Sequence, residues 1–320
     1  MRTRVKKNTE CEMLTMGEGF NKFIISCECK NLSPKTINYY KKEFDRFSIY
    51  YTESHFIKTL SQDIVNGYIL YLQSESKAND ITIASYMRGV RAFCYYFMKN
   101  GWCNNFEVVI PKATKKIKET YTEGELAVLT KKPDFAKCTF TEEKTWLFEC
   151  FLLATGCRLS TALNLQVKDV DFDNNVLKLT KTKNRKQQII PMAINLKKML
   201  KEYIMQYRAD DDELVKPSGE KYVFCNDYGL KATNSTYENN VRRYNHARGV
   251  ERTSIHAFRH TFAKNYIKSG GDAFRLQQIL GHSDLTMTRE YVNMYADDLS
   301  DNFTNLNVLD KMFNTKIKKR

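Results

Sequence analysis

No stretch of this 320-residue chain approaches the ~18 consecutive apolar residues that a bilayer-spanning helix needs, so no such helix is expected. Glycine and proline are scarce, at 13 and 5 residues, which argues against a collagenous or low-complexity chain. No cysteine belongs to a C-x-x-C pair. The nine that occur are an odd number scattered often through apolar segments, so at least one lacks an intramolecular partner and the set reads as small buried hydrophobes in a reducing compartment. There is also no G-x-x-x-x-G-K-[ST] loop, no G-x-G-x-x-G turn and no H-E-x-x-H or clustered Cys/His set, so neither a nucleotide cofactor nor a metal is expected. His256 and His260 have the i, i+4 spacing of a metal pair, but no nearby thiolate completes it. The basic start, Met1 to Lys7, runs into Asn8-Thr9-Glu10 and lacks the apolar centre of a secretory signal, which gives a cytoplasmic expectation.

What is present is a globular balance, 42% hydrophobic and 28% charged, over about twice a typical domain length, so two domains are expected. The net charge is +14. Its basic excess is spread over both halves and is densest at 111–121, where four lysines meet one glutamate. Such an excess suits a polyanion, and nucleic acid fits better than a membrane surface because no lipid-binding amphipathic segment or lipidation signal accompanies it. A basic but otherwise ordinary enzyme is the competing reading of charge alone.

Residues 1–10 read as a basic tail and 11–104 as a small helical domain. A first helix over about 17–30 carries Phe20, Phe23, Ile24 and Cys27; Ser33-Pro34 opens a second with Ile37, Tyr40, Phe44 and Phe47 on one face. A third begins at Ser61, and a fourth runs from about Thr82 to a stop at Asn100-Gly101. Lys35, Lys41, Lys42, Arg88 and Arg91 fall on the polar faces of these helices, where they are candidates for DNA phosphates or an ordinary solvated surface. Residues 105–121, with Lys112, Lys115 and Lys116, lack periodicity and read as a basic linker that is either a DNA contact or an inert tether. A second domain spans 122–300: a capped helix start at Thr122, a long apolar helix over about 143–154, strands over 170–179 and 187–191, then mostly helices. The fold class expected is mainly α with a small β-sheet.

Four short segments stand out: Thr155-Gly156-Cys157-Arg158; the basic hairpin from Thr180 to Pro191; His256-Ala257-Phe258-Arg259-His260; and Leu280-Gly281-His282 followed nine residues later by Tyr291. Each has an ordinary surface or capping explanation when taken alone. In this order and spacing they resemble the tyrosine recombinase (phage integrase) family, and the helical N-terminal region resembles that family's SAM-like core-binding domain.

The resemblance implies a site-specific DNA recombinase of simple Xer-like or mobile-element type, with a mixed α/β catalytic domain and no cofactor. Tyr291 would attack phosphorus to form a 3′-phosphotyrosyl ester, with Tyr295 as its rival. Arg158 and Arg259 would hold the non-bridging oxygens with their forked donors. Lys183 would protonate the departing 5′-oxygen, with Lys181, Arg185 and Lys186 as nearby competitors. His256 would assist proton movement at Tyr291 or bind the phosphate, and His282 would donate to a phosphate oxygen. His260 matches the family too, but as support for the site. Many members carry an acid where this chain has Thr161, which puts fine tuning in doubt. The partners implied are double-stranded DNA bearing paired recognition sites and further copies of the chain, four on two sites. After the tyrosine, at 301–320 and just before, Leu299, Phe303, Leu306 and Phe313 make an apolar helical stripe that either docks on a neighbouring copy or folds back in cis. With only a short tail before the first helix, no arm-binding domain is expected. A type IB topoisomerase-like enzyme and a catalytically inactive DNA-binding regulator are the alternatives.

Overall fold

A computed structural model describes residues 13–113, 119–180, 187–208, 221–282 and 284–295. The chain divides into two compact units, Met1–Ile117 and Lys118–Arg320.

The first unit is a bundle of α1 (Met16–Cys29), α2 (Pro34–Tyr50), α3 (Gln62–Glu75) and α4 (Asp80–Lys99). Each starts where a short polar side chain satisfies an otherwise orphaned backbone N–H: Thr15 with Glu18 in a reciprocal box, Ser33 ahead of Pro34, Ser61, and Asn79. The cap at Asn79 starts α4 two residues before the Thr82 boundary that periodicity alone indicates. The core is aromatic. Phe20 stacks on Phe44 at 3.9 Å between ring centroids, and Phe93 meets both edge-on. Lys35, Lys41 and Lys42 are exposed on α2, and Arg88 and Arg91 on α4. These helices are neighbours: the Tyr39 hydroxyl donates to the Ser85 carbonyl at 2.5 Å, and Arg46 lies over the Tyr86 ring. Lys112 is exposed, whereas Lys115 and Lys116 lie outside the described residues.

The second unit opens with α5 (Glu123–Leu129), capped by the Thr122/Glu125 box, and is centred on α6 (Phe140–Thr155). α6 begins at the Thr139/Glu142 box, three residues before the boundary read from hydrophobicity. Its Trp146, Leu147, Phe148, Phe151 and Leu152 are buried, because helices cover it on several sides. After the single turn of α7 (Leu159–Ala162) come β1 (Val170–Asp171), β2 (Val176–Leu179) and β3 (Gln188–Pro191), an antiparallel sheet in that order, with Leu177 opposite Ile190. The β1–β2 reversal uses Asn175 at φ +55°, a left-handed position that asparagine tolerates, while the Asn174 N–H donates to the Asp171 carboxylate. Then follow α8 (Ile194–Tyr207), α9 (Asn234–His246), α10 (Ile255–Lys268), α11 (Ala273–Leu280) and α12 (Leu285–Tyr295). α6 packs against α8, α9 and α10, while α12 packs on α10 and α11. The stripe Leu299, Phe303, Leu306 and Phe313 lies outside the described residues. No described helix is long and apolar enough to cross a membrane.

One buried group has a measurable consequence for stability. Glu149 of α6 is 0% exposed, and neither carboxylate oxygen has a hydrogen-bond partner. Burial raises its pKa well above the ordinary 4.5, with the charge of Arg248 opposing weakly. The folded chain therefore keeps it protonated where the unfolded chain ionises it. Its contribution is fully present below the unfolded pKa and is lost as pH rises from about 4.5 toward the folded value. Glu149→Leu should raise the melting temperature more at pH 8 than at pH 5, by roughly 2–4 °C for each kcal/mol recovered. Equal shifts at the two pH values would contradict this account of Glu149.

Candidate active site

Two glycine-terminated helices deliver the candidate residues. α6 ends at Gly156, in a left-handed conformation with φ +61°, and a Cβ there would lie 2.4 Å from the Phe262 ring. The chain turns and presents Cys157 and then Arg158, half-buried at the N-cap of α7. α11 ends in the same way at Gly281, φ +62°, directly before His282.

Arg259, on α10, joins these two ends. It is 6% exposed, and its Nη1 donates to the Gly156 carbonyl at 2.8 Å while Nη2 donates to the Leu280 carbonyl at 2.9 Å. The guanidinium thus holds both glycine turns in one geometry, a use of its planar fork that an ammonium cannot copy. Nη2 also lies 2.7 Å from His282 Nε2. Because a guanidinium nitrogen has no lone pair to offer, Nε2 accepts, and the imidazole proton resides on Nδ1. From there it donates to Thr288 Oγ1 at 2.9 Å. Thr288 is fully buried and sits on α12, three residues before Tyr291, so Arg259, His282 and the helix of the candidate nucleophile form one linked set.

Tyr291 is 2% exposed and packs with Ala263, Leu276 and Leu280. Its ring lies parallel to His282, and its hydroxyl is 2.7 Å from His260 Nδ1. Burial lowers the pKa of Arg259, and the like charge of Arg158 lowers it further, whereas negative charge on Tyr291 would oppose both effects. Arg158 is likewise lowered by burial and raised by charge on Tyr291. Both remain cationic at neutral pH, so the two guanidiniums together make the site positively charged.

Of the residues singled out in the sequence, Arg158, Arg259, His282 and Tyr291 therefore come together. His256 is exposed on the first turn of α10, and the histidine on the Tyr291 hydroxyl is His260. Sequence reasoning gave His260 no chemistry. The only signal for it was its position beside Arg259, with nothing local to link it to a residue 31 positions away. Thr161 is buried in α7. Lys183 lies outside the described residues, but the strand that follows it is tied to the site: Gln188 Nε2 donates to the Ile279 carbonyl at 2.6 Å and to that of Gln278, at the end of α11 beside His282. Among the described residues no three His, Cys, Asp or Glu side chains form a metal-ligand group.

Comparison with known proteins identifies a family. Residues 133–297 match the Phage integrase family, and residues 15–116 match the Phage integrase SAM-like domain. The chain is 24% identical over 271 residues to the tyrosine recombinase XerD of Staphylococcus aureus (strain Mu50 / ATCC 700699), covering 83% of this chain and 90% of the relative. The XerD of Staphylococcus epidermidis (strain ATCC 35984) is 24% identical over 285 residues, covering 86% and 93%. Among solved structures, the fold is shared with the Tn1549 transposon integrase in complex with transposon right end DNA, at TM-score 0.72 and 20% identity over 94% of this chain and 98% of that one. It is shared also with the XerH site-specific recombinase bound to palindromic difH substrate, at TM-score 0.64 and 21% identity over 86% and 80%. With the family profile spanning more than half its length, the chain belongs to the phage integrase family, the tyrosine recombinases, a class of enzymes that break and rejoin DNA.

Proposed function

We propose that the chain is a site-specific recombinase that cuts and rejoins double-stranded DNA through a 3′-phosphotyrosine formed at Tyr291. The observation that carries this reading is the hydrogen-bonded set in which Arg259 holds the turn that bears Arg158 and links through His282 and Thr288 to the helix of Tyr291, which gathers the positive field of two guanidiniums there. A phosphodiester entering that field meets the positive charge its transition state needs, and Tyr291 supplies the nucleophile. Arg158 and Arg259 bind the non-bridging oxygens. His282, once DNA arrives, gives a hydrogen bond to the phosphate by moving its proton to Nε2, with the Thr288 hydroxyl then donating to Nδ1. His256 adds a phosphate contact. The exposed Lys35, Lys41, Lys42, Arg88, Arg91 and Lys112, with Lys115 and Lys116, bind backbone phosphates, which makes affinity steeply salt-dependent. The protein works in the cytoplasm, without a cofactor.

The test is covalent trapping. A duplex site enriched by the full chain from a random-sequence pool is nicked next to the cleavage position, so that the released fragment is lost and the adduct accumulates. Wild-type protein should form the adduct with EDTA present. A regulator without catalysis would bind the duplex and give no adduct.

Lys183 is the proposed general acid. Lys183→Ala should slow adduct formation about 10²–10⁴-fold on ordinary DNA. On a substrate whose 5′ leaving group is a thiolate the loss should nearly vanish, because that group departs unprotonated. Equal losses on both substrates would make Lys183 a phosphate ligand instead.

Recombination also needs four copies on two sites, and the apolar stripe Leu299, Phe303, Leu306 and Phe313 is the proposed docking element. Truncation after Ala296 should leave single-site binding intact and abolish the two-site complex in a mobility-shift assay. Unchanged pairing of sites would assign the stripe to its own copy.

A further inference from the structure

We infer that His260 is a catalytic base of this enzyme: it accepts the proton of Tyr291 as the nucleophile attacks, and returns it when the strand is rejoined. The inference rests on the reading of Tyr291 as nucleophile and extends it to a residue to which that reading gives no part.

A phenol with an ordinary pKa of about 10 is ionised in only about one molecule in a thousand at pH 7, so fast attack requires a group that takes its proton. Such a group must lie within about 2.6–3.2 Å of the oxygen. His260 Nδ1 is 2.7 Å from Tyr291 Oη. The other groups known at the site fit the task less well. Arg158 and Arg259 make the phenolate less costly, but a guanidinium has no lone pair and accepts no proton. The accepting nitrogen of His282 faces Arg259, and its other nitrogen donates to Thr288. His256 sits one helical turn before His260 and is exposed. Arg259 and His260 are consecutive on α10 and so point in directions about 100° apart. One reaches the carbonyls of Gly156 and Leu280, the other the phenol on α12.

The step balances as follows. The bond from Tyr291 Oη to phosphorus forms and the bond from phosphorus to the 5′-oxygen breaks. The phenolic proton passes to His260 Nδ1, leaving an imidazolium, and the 5′-oxygen takes its proton from the general acid, Lys183 in the reading above. In rejoining, the 5′-hydroxyl attacks phosphorus, Tyr291 Oη leaves, and the imidazolium restores its proton. Base and acid are thus separate groups, each acting in reverse in the second half-reaction.

The experiment measures single-turnover adduct formation by the full chain on the nicked, pool-selected duplex, for wild type, His260→Ala, His260→Asn and Tyr291→Phe. Asparagine can offer Tyr291 a hydrogen-bonding atom close to the Nδ1 position but does not take a proton, so the pair of variants separates holding the phenol from deprotonating it. Both should be slower by about 10²–10⁴-fold, with unchanged duplex binding and a melting temperature within a few degrees of wild type. Added imidazole should partly restore His260→Ala. The defect should persist on the 5′-thiolate substrate, where Lys183→Ala is relieved. Wild-type speed in His260→Asn would overturn the assignment, since the contact would then only position the ring. Wild-type or greater speed in His260→Ala would overturn it as well, because the contact would belong to the DNA-free chain alone. In both cases loss of the adduct in Tyr291→Phe leaves the reading of the nucleophile standing, whereas an adduct that survives Tyr291→Phe sinks both.

Discussion

Tyr291→Phe should reduce the covalent protein–DNA adduct to background while leaving duplex binding nearly unchanged. The substitution removes one oxygen and keeps the ring that packs with Ala263, Leu276 and Leu280, so the fold keeps its packing there and gives up the hydrogen bond to His260, worth about 0.5–1.5 kcal/mol. Affinity should hold because the proposed phosphate contacts, which supply most of it, lie elsewhere. Chemistry should stop because the substitution removes the oxygen that attacks phosphorus. Tyr295 is the fair rival, since it lies four residues further along α12, about one helical turn. An adduct kept by Tyr291→Phe and lost in Tyr295→Phe would move the nucleophile by one turn.

Arg259→Lys should cost about 10²–10³-fold in adduct formation, the range seen when one charge-stabilising donor is removed from a reaction centre. The positive charge survives, so the loss measures geometry. Lysine cannot reach the Gly156 and Leu280 carbonyls together, and the orientation of both glycine turns, with Arg158 on one and His282 on the other, relaxes at once. His282 loses the donor that fixes its tautomer. Single-turnover rates beside thermal melts check this: a rate loss with a melting temperature within a few degrees of wild type fits, and a wild-type rate would reduce Arg259 to a bulk charge.

The parts of this fold that were legible in the sequence are those governed by neighbours along the chain. Helix starts at Thr15, Ser33 and Thr122 show because a cap and the residue it serves lie within three positions. The β1–β2 reversal shows because Asp171, Asn174 and Asn175 carry their own turn chemistry. Boundaries slipped where hydrophobic periodicity was followed past a cap, as at Asn79 and Thr139. The candidate residues of the site stand out by family order rather than by physics. What stayed hidden depends on contacts between distant segments: His260 on Tyr291, Gln188 on Ile279, Arg259 across two helix ends. Glu149 was hidden for another reason. A carboxylate in a helix marks the solvated face by default, and only the surroundings of α6 show that this one has no such face.

The central claim is that DNA becomes joined to Tyr291 through its 3′-phosphate, and one measurement addresses it without reference to rate. The adduct trapped on the nicked duplex is digested with nuclease and protease, and the peptide carrying the residual nucleotide is sequenced by mass spectrometry. The account predicts a 3′-phosphonucleotide on the oxygen of Tyr291. A nucleotide on any other residue, or one joined through its 5′-phosphate, would contradict it.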